Sequence, residues 1–72
     1  MASFGERLKK LRMEKGLTQK QLAAIFNTTE RGYRNYEIEK TKPNYETLLM
    51  LSDFFDTSLD YLTGRSDNPK RL

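Results

Sequence analysis

Residues 18–43 read TQKQLAAIFNTTERGYRNYEIEKTKP, and two short helical signals lie inside this run. Thr18 is followed three residues later by Gln21, which is capping-box spacing: each side chain satisfies a free backbone N–H of the first turn. Leu17 and Leu22 flank the cap as a hydrophobic staple that sets the angle at which the chain enters the helix. Leu22, Ala23 and Phe26 form the inner stripe, and Asn27 tolerates the left-handed conformation that stops a helix. Thr29 can cap the next helix, which runs to about Glu37 with Tyr33, Tyr36 and Glu37 turned inward. Gly32 disfavours that helix by about 1 kcal/mol relative to alanine, so packing rather than propensity must hold it.

Outward from this run the signals continue. On the amino-terminal side Ser3 and Glu6 have capping-box spacing, and Phe4, Leu8 and Leu11 recur at helical intervals. Glu6, Arg7, Lys9 and Lys10 fall on the other faces, and Gly16 ends the helix. On the carboxyl-terminal side EIEKTKP is a polar loop ending at Pro43. Asn44 can cap a fourth helix with Tyr45, Leu48, Leu51 and Phe55 inward. Asp56-Thr57-Ser58 breaks it, and Ser58 can cap a last short helix through Leu59 and Leu62 to Gly64. No strand pattern or internal repeat appears. The expected fold is all-α, with five short helices in one domain over residues 1–64. The remainder, RSDNPKRL at 65–72, has no apolar periodicity and is expected to be a flexible tail that frays.

Seventy-two residues suit one small domain near the lower limit for folding on a single core. There is no cysteine and no histidine, so disulfides and ordinary zinc sites are not expected, nor is any metal or cofactor. The opening MASFGERLKKLRMEKG is charged every few residues, which excludes a signal peptide or membrane span there and fits a cytoplasmic protein. Enzyme activity is not expected either: no histidine or cysteine can serve as a nucleophile or base, and no glycine-rich phosphate loop follows a strand. Charge is uneven. Residues 1–42 hold ten basic and five acidic side chains, whereas residues 43–72 hold three basic and five acidic ones. The basic part is where an anionic partner would sit, and nucleic acid is the obvious candidate.

The second and third helices, joined through Phe26-Asn27-Thr28-Thr29, have the dimensions of a helix-turn-helix. In that motif the second helix lies in the major groove and the first crosses the backbone. The exposed face of the second offers Glu30, Arg31, Arg34 and Asn35 to base edges. Arginine can fork onto guanine O6 and N7, and asparagine onto adenine N6 and N7. Thr18 and Gln19 at the start of the preceding helix can meet one phosphate, and Lys40 and Lys42 after the recognition helix another. Solvated polar faces are common, so residue types alone do not decide between DNA contact and plain hydration.

The run 18–43, with GERLKKLRMEKGLTQ before it and ETLLMLSDFFDTSLDYLTG after it, resembles the Cro and phage-repressor helix-turn-helix family, the XRE family. The resemblance covers about Phe4 to Gly64. It implies a phage-repressor-like DNA-binding domain with its helix-turn-helix at helices 2 and 3. It also implies that Thr18 caps helix 2, that Gln19 contacts phosphate and that Ala23 is the small residue where the two helices meet. Thr29 then caps the recognition helix at a phosphate, with Glu30, Arg31 and Asn35 at base-facing positions and Arg34 touching either base or phosphate. Arg12 and Glu37 match a pair that forms an internal salt bridge in related repressors. The chain departs from the pattern at Asn27, where glycine is frequent, and at Ile38-Glu39, where glycine or asparagine and a basic residue are frequent. Gly32 removes a side chain from the reading face, and Glu30 either accepts from cytosine N4 or repels phosphate.

What the resemblance implies is a sequence-specific double-stranded DNA-binding transcriptional regulator, a repressor in the first instance, reading a two-fold operator as a homodimer. Met50, Phe54 and Tyr61 are surplus to the inward stripe of the last two helices and could meet a second copy; Ile25 is another exposed apolar candidate. The competing reading is a protein-interaction module, an antitoxin or adaptor with a protein partner, that keeps the fold with weak DNA binding.

Overall fold

In the computed structural model, which describes residues 3–71, every helix begins at a side-chain cap. The first, α1 (Phe4–Glu14), carries a complete capping box: the Glu6 N–H donates to the Ser3 hydroxyl at 3.2 Å and the Ser3 N–H to the Glu6 carboxylate at 3.1 Å. That backbone N–H, and then the hydroxyl, hold the Glu6 carboxyl below its ordinary range. The box repeats at α2 (Gln19–Ile25) between Thr18 and Gln21, at 2.9 and 3.0 Å. Single caps start α3 (Glu30–Glu37) at Thr29, α4 (Tyr45–Phe54) at Asn44 and α5 (Leu59–Leu62) at Ser58. No strand forms among the described residues, and no helix there is long and apolar enough to cross a membrane.

Each helix also ends at a left-handed residue: Gly16 (φ +70°), Asn27 (+55°), Glu39 (+60°), Asp56 (+49°) and Gly64 (+81°). Glu39 is the strained member: a residue with a Cβ loses about 1–2 kcal/mol there, and glutamate lacks the short polar side chain by which asparagine and aspartate tolerate it. It lies in the Ile38-Glu39 stretch, where the resemblance leads to an expectation of glycine or asparagine and a basic residue.

The core is one cluster of Leu8, Leu11, Leu22, Ala23, Tyr33, Leu51, Phe55, Tyr61 and Leu62. Helix α3 packs against α2 and α1, and α5 against α1 and α4. Phe26 meets Phe54 edge-on at 5.5 Å, which joins the carboxyl ends of α2 and α4. Gly5 on α1 lies against the last turn of α3 so closely that a Cβ there would sit 2.1 Å from the Glu37 carbonyl oxygen.

Four expectations differ from what is observed. Tyr45 is 71% exposed rather than inward. At 3.6 residues per turn it lies about 90° from the mean direction of Leu48, Leu51 and Phe55, and it occupies the first position of its helix. Arg7 is buried rather than on an outer face: its guanidinium stacks 3.8 Å over the Tyr61 ring. That leaves Tyr61 in the core instead of on a patch for a second copy.

From Ser66 to Arg71 the segment after Gly64 is also held, where fraying is expected. Arg7 donates to the Ser66 carbonyl at 3.3 Å and to Asp67 at 3.1 Å. The Pro69 carbonyl accepts from the Ser58 N–H at 3.0 Å and the Thr57 hydroxyl at 3.3 Å, and Arg71 reaches Asp53 at 2.5 Å. Apolar periodicity misses such a segment because it docks through polar and main-chain groups. Residues 1, 2 and 72, at the outer ends of the expected domain and tail, lie outside the described residues.

Candidate nucleic-acid interface

Helix α3 divides its residues by face. Tyr33 is buried, Tyr36 and Glu37 are half-buried, and Glu30, Arg31 and Arg34 are exposed. Asn35, at the edge of the exposed face, is half-buried. Among the described residues neither the Arg31 nor the Arg34 side chain makes a hydrogen bond or ion pair, so both guanidiniums keep all their donors. Glu30 is likewise unpartnered. It borders a shallow concavity shared with Arg12, Thr18 and Gln19, which brings the start of α3 next to the start of α2.

Gly32 does not leave the gap on this face that the sequence suggests. A Cβ built there would point back into the turn, 2.9 Å from the Thr28 hydroxyl and 3.1 Å from that of Thr29. The glycine is a packing feature of the turn.

The edges of the face are fixed by backbone. Thr18 and Thr29 accept cap bonds from the N–H groups of Gln21 and Gly32, which leaves each hydroxyl proton free to donate outward. At the other end the N–H groups of Lys40 and Thr41 both turn back onto the Asn35 carbonyl, at 2.9 and 3.3 Å. This holds the exposed Lys40 beside the last turn of α3. Lys42 is exposed as well, and the buried Pro43 anchors the loop just beyond it.

Beneath the face lies a charged hub. The Arg12 Nε donates to Glu37 Oε2 at 2.6 Å, with side-chain exposures of 11% and 3%. Arg12 also donates to the Leu17 carbonyl at 2.8 Å, which ties α1 to the staple before α2. The Tyr33 hydroxyl donates to Glu37 Oε2 at 2.5 Å, and the Gln19 amide to Oε1 at 3.1 Å. Burial alone would raise the Glu37 carboxyl. The bonds from Arg12, Tyr33 and Gln19 together outweigh it and hold the group below its ordinary range. Burial, and then the bond to Glu37, push the Tyr33 phenol far up, so it stays a donor. The Glu37 bond in turn raises Arg12.

Tyr33 and Glu37 stand four residues apart on the inner face of α3, a spacing at which side chains meet on a helix. The roles of Gly5 and Arg7 leave no such local mark, because they depend on elements distant in sequence.

The family comparison agrees with this geometry. The sequence model described as Helix-turn-helix matches residues 8–62, from mid-α1 to the end of α5. The chain belongs to this family, in its Cro and phage-repressor (XRE) branch. This helix-turn-helix domain is similar to three proteins of Bacillus subtilis (strain 168). It is 46% identical over 59 residues to the SPbeta prophage-derived HTH-type transcriptional regulator YonR, covering 82% of the chain and 55% of YonR. It is 42% identical over 67 residues to the HTH-type transcriptional regulator YqaE, covering 93% and 58%. It is 39% identical over 69 residues to the HTH-type transcriptional regulator ImmR, covering 96% and 54%. The domain thus spans a little over half the length of these relatives.

Of the remaining sequence candidates, Met50 is 51% exposed, whereas Phe54 is half-buried between Phe26 and Phe55 with the Lys15 ammonium 5.1 Å over its ring. Tyr61 lies under Arg7, and its hydroxyl accepts from Lys10 at 3.3 Å. The three do not form one surface. Ile25 is 49% exposed on α2.

Proposed function

We propose that this domain binds double-stranded DNA with α3 in the major groove and regulates transcription, as a repressor that occludes a promoter. The observation that carries the reading is the pair Arg31 and Arg34. Both are exposed and unpartnered, on a helix held from behind by a buried hub and flanked by Thr18, Gln19 and Lys40. A solvated face needs no such backing; a reading face must be held to within a fraction of an ångström. The regulator names of the Bacillus subtilis relatives support the same reading. Arg31 and Arg34 supply forks for guanine, Asn35 a partner for adenine and Glu30 an acceptor for the cytosine amino group. Thr18, Gln19, Thr29, Lys40 and Lys42 supply the phosphate contacts that position α3 without reading sequence.

The proposed operator is two-fold, with half-sites one helical turn apart, read by two copies of the domain. Met50 and the uncovered edge of Phe54 are the apolar groups left for contact between the copies.

Selection of bound sites from a random duplex pool tests this. The expected result is an inverted repeat, with base preference relaxed at one position by Arg31→Ala and at another by Asn35→Ala. Each lost fork should cost about 1–3 kcal/mol. Failure to enrich any sequence at low salt, where phosphate contacts are strongest, would refute the operator reading and turn attention to a protein partner.

A further inference from the structure

Glu37 accepts four hydrogen bonds, which fills the acceptor positions of a carboxylate. Two come from Arg12 and fasten α1 to α3, and the third comes from Tyr33, one turn back on α3 itself. The fourth comes from Gln19, at the first position of α2, and has a different consequence.

A carboxylate only accepts, so the Gln19 carboxamide must turn its NH2 end toward Glu37. The terminal torsion of a free glutamine has two nearly equivalent settings, which exchange oxygen for nitrogen. Here the second setting would place an amide oxygen against a carboxylate oxygen across the 3.1 Å now spanned by the bond. The Glu37 side chain is only 3% exposed, so water does not take over its acceptor role. Gln19 itself is half-exposed, and one of its two N–H donors is left over. Glu30, bordering the same concavity, would offer an unheld amide a second carboxylate and draw it toward the reading face.

We infer that Glu37 is a positioning residue for DNA-backbone recognition: it holds the Gln19 carboxamide in one orientation, with the second N–H directed to a phosphate at the start of α2. The inference rests on the DNA-binding reading above. It makes one carboxylate serve two ends, the packing of α3 on α1 and the aim of a donor on α2.

The test is a double-mutant cycle in DNA binding, on the duplex recovered by selection and at a temperature where every variant is folded. Gln19→Ala and Glu37→Gln should each weaken binding about tenfold, as loss of a bond to a charged group does. The double variant should bind no worse than either single one. Leu48→Ala, which loosens the core on α4 without touching either residue, should leave the affinity of the folded protein unchanged. Losses that multiply to about a hundredfold, or a Gln19→Ala protein that binds as wild type, overturn the inference.

If Glu37→Gln does not fold, Glu37→Asp takes its place, keeping the charge for Arg12 while drawing the carboxylate back from Gln19. A separate readout uses the protein without DNA. In NMR spectra the Gln19 side-chain amide protons should lie at shifts displaced from those of a free glutamine and exchange slowly with water in the wild type, and both properties should return to free-glutamine values in the Glu37 variant. Solvent-like amide signals in the wild type overturn the inference. A held amide in a protein that enriches no duplex overturns it through the reading it rests on, while leaving the tie between Gln19 and Glu37 intact.

Discussion

Glu37 accepts four hydrogen bonds in the buried hub, and its titration is a property of the residue itself. Unfolded, its carboxyl takes up a proton near its ordinary value of 4.5; folded, the bonds from Arg12, Tyr33 and Gln19 hold it lower. Between those two values the unfolded chain binds a proton that the folded chain does not. Stability therefore rises with pH through that window, is complete above about 4.5 and is lost as pH falls below it. Chemical denaturation followed from pH 7 to pH 3 should show a midpoint that declines below about 4.5. Glu37→Gln should remove part of that decline, at the cost of lower stability at neutral pH, where Arg12 loses its partner. An identical acid slope in both proteins would mean that the hub is not ionised as the geometry requires. The spacing Tyr33–Glu37 was legible in the sequence and the match of Arg12 to Glu37 was implied by the resemblance. That Gln19 completes the set was not, because a glutamine at a helix start has no sequence signature that distinguishes a phosphate contact from an internal one.

At the scale of elements, all five starts were readable, since a cap and the groups it satisfies lie within three residues of one another. Four of the five stops were equally local; Glu39 was not, because glutamate gives no sign of a left-handed backbone. The approach of α1 to α3 was invisible for a related reason: Gly5 reads as a mild flaw in a helix. Its role appears only against the Glu37 carbonyl, 32 positions away in the sequence. Gly5→Ala offers a helix-propensity gain of about 1 kcal/mol. The Cβ would nonetheless meet backbone at 2.1 Å, and backbone cannot swing aside as a side-chain tip can. Overpacking of this kind costs about 1–3 kcal/mol, so a net loss of stability is expected. Thermal unfolding of the variant measures it, and a raised midpoint would show that α1 can slide away from α3 at little cost.

At the scale of the whole molecule, the segment after Gly64 acts as a strap over the α4–α5 turn. It answers a definite need. In α1 and α2 the N–H of the capping residue is satisfied by Glu6 or Gln21, but the third residue of α5 is Tyr61, which cannot reciprocate. The Pro69 carbonyl does so instead and also accepts from the buried Thr57 hydroxyl. Ending the chain at Arg65 should therefore cost about 1–2 kcal/mol, from a stranded N–H and hydroxyl and from Arg7 losing the Ser66 carbonyl. For a domain of this size that is a fall in melting temperature of roughly 4–15 °C. Asp67→Asn alone should cost little, because that carboxylate is 97% exposed. An unchanged melting temperature on truncation would restore the frayed tail expected from the sequence.

By itself the sequence determined the five helices, their order, most of their inner residues and the face of α3 turned outward. These follow from caps, periodicity and turn residues, which act over a few positions and so leave local marks. Tertiary structure alone decided which charges are buried, which glycines are indispensable and which aromatic residues are spare. Arg7 and Lys9 look alike along the chain, yet one stacks under a strap on Tyr61 and the other is solvated. Tyr45 and Tyr61 exchanged their expected places for the same reason. Whether a polar or aromatic side chain is buried depends on the partners that distant segments bring to it, and burial of a polar group is tolerated only where such partners arrive.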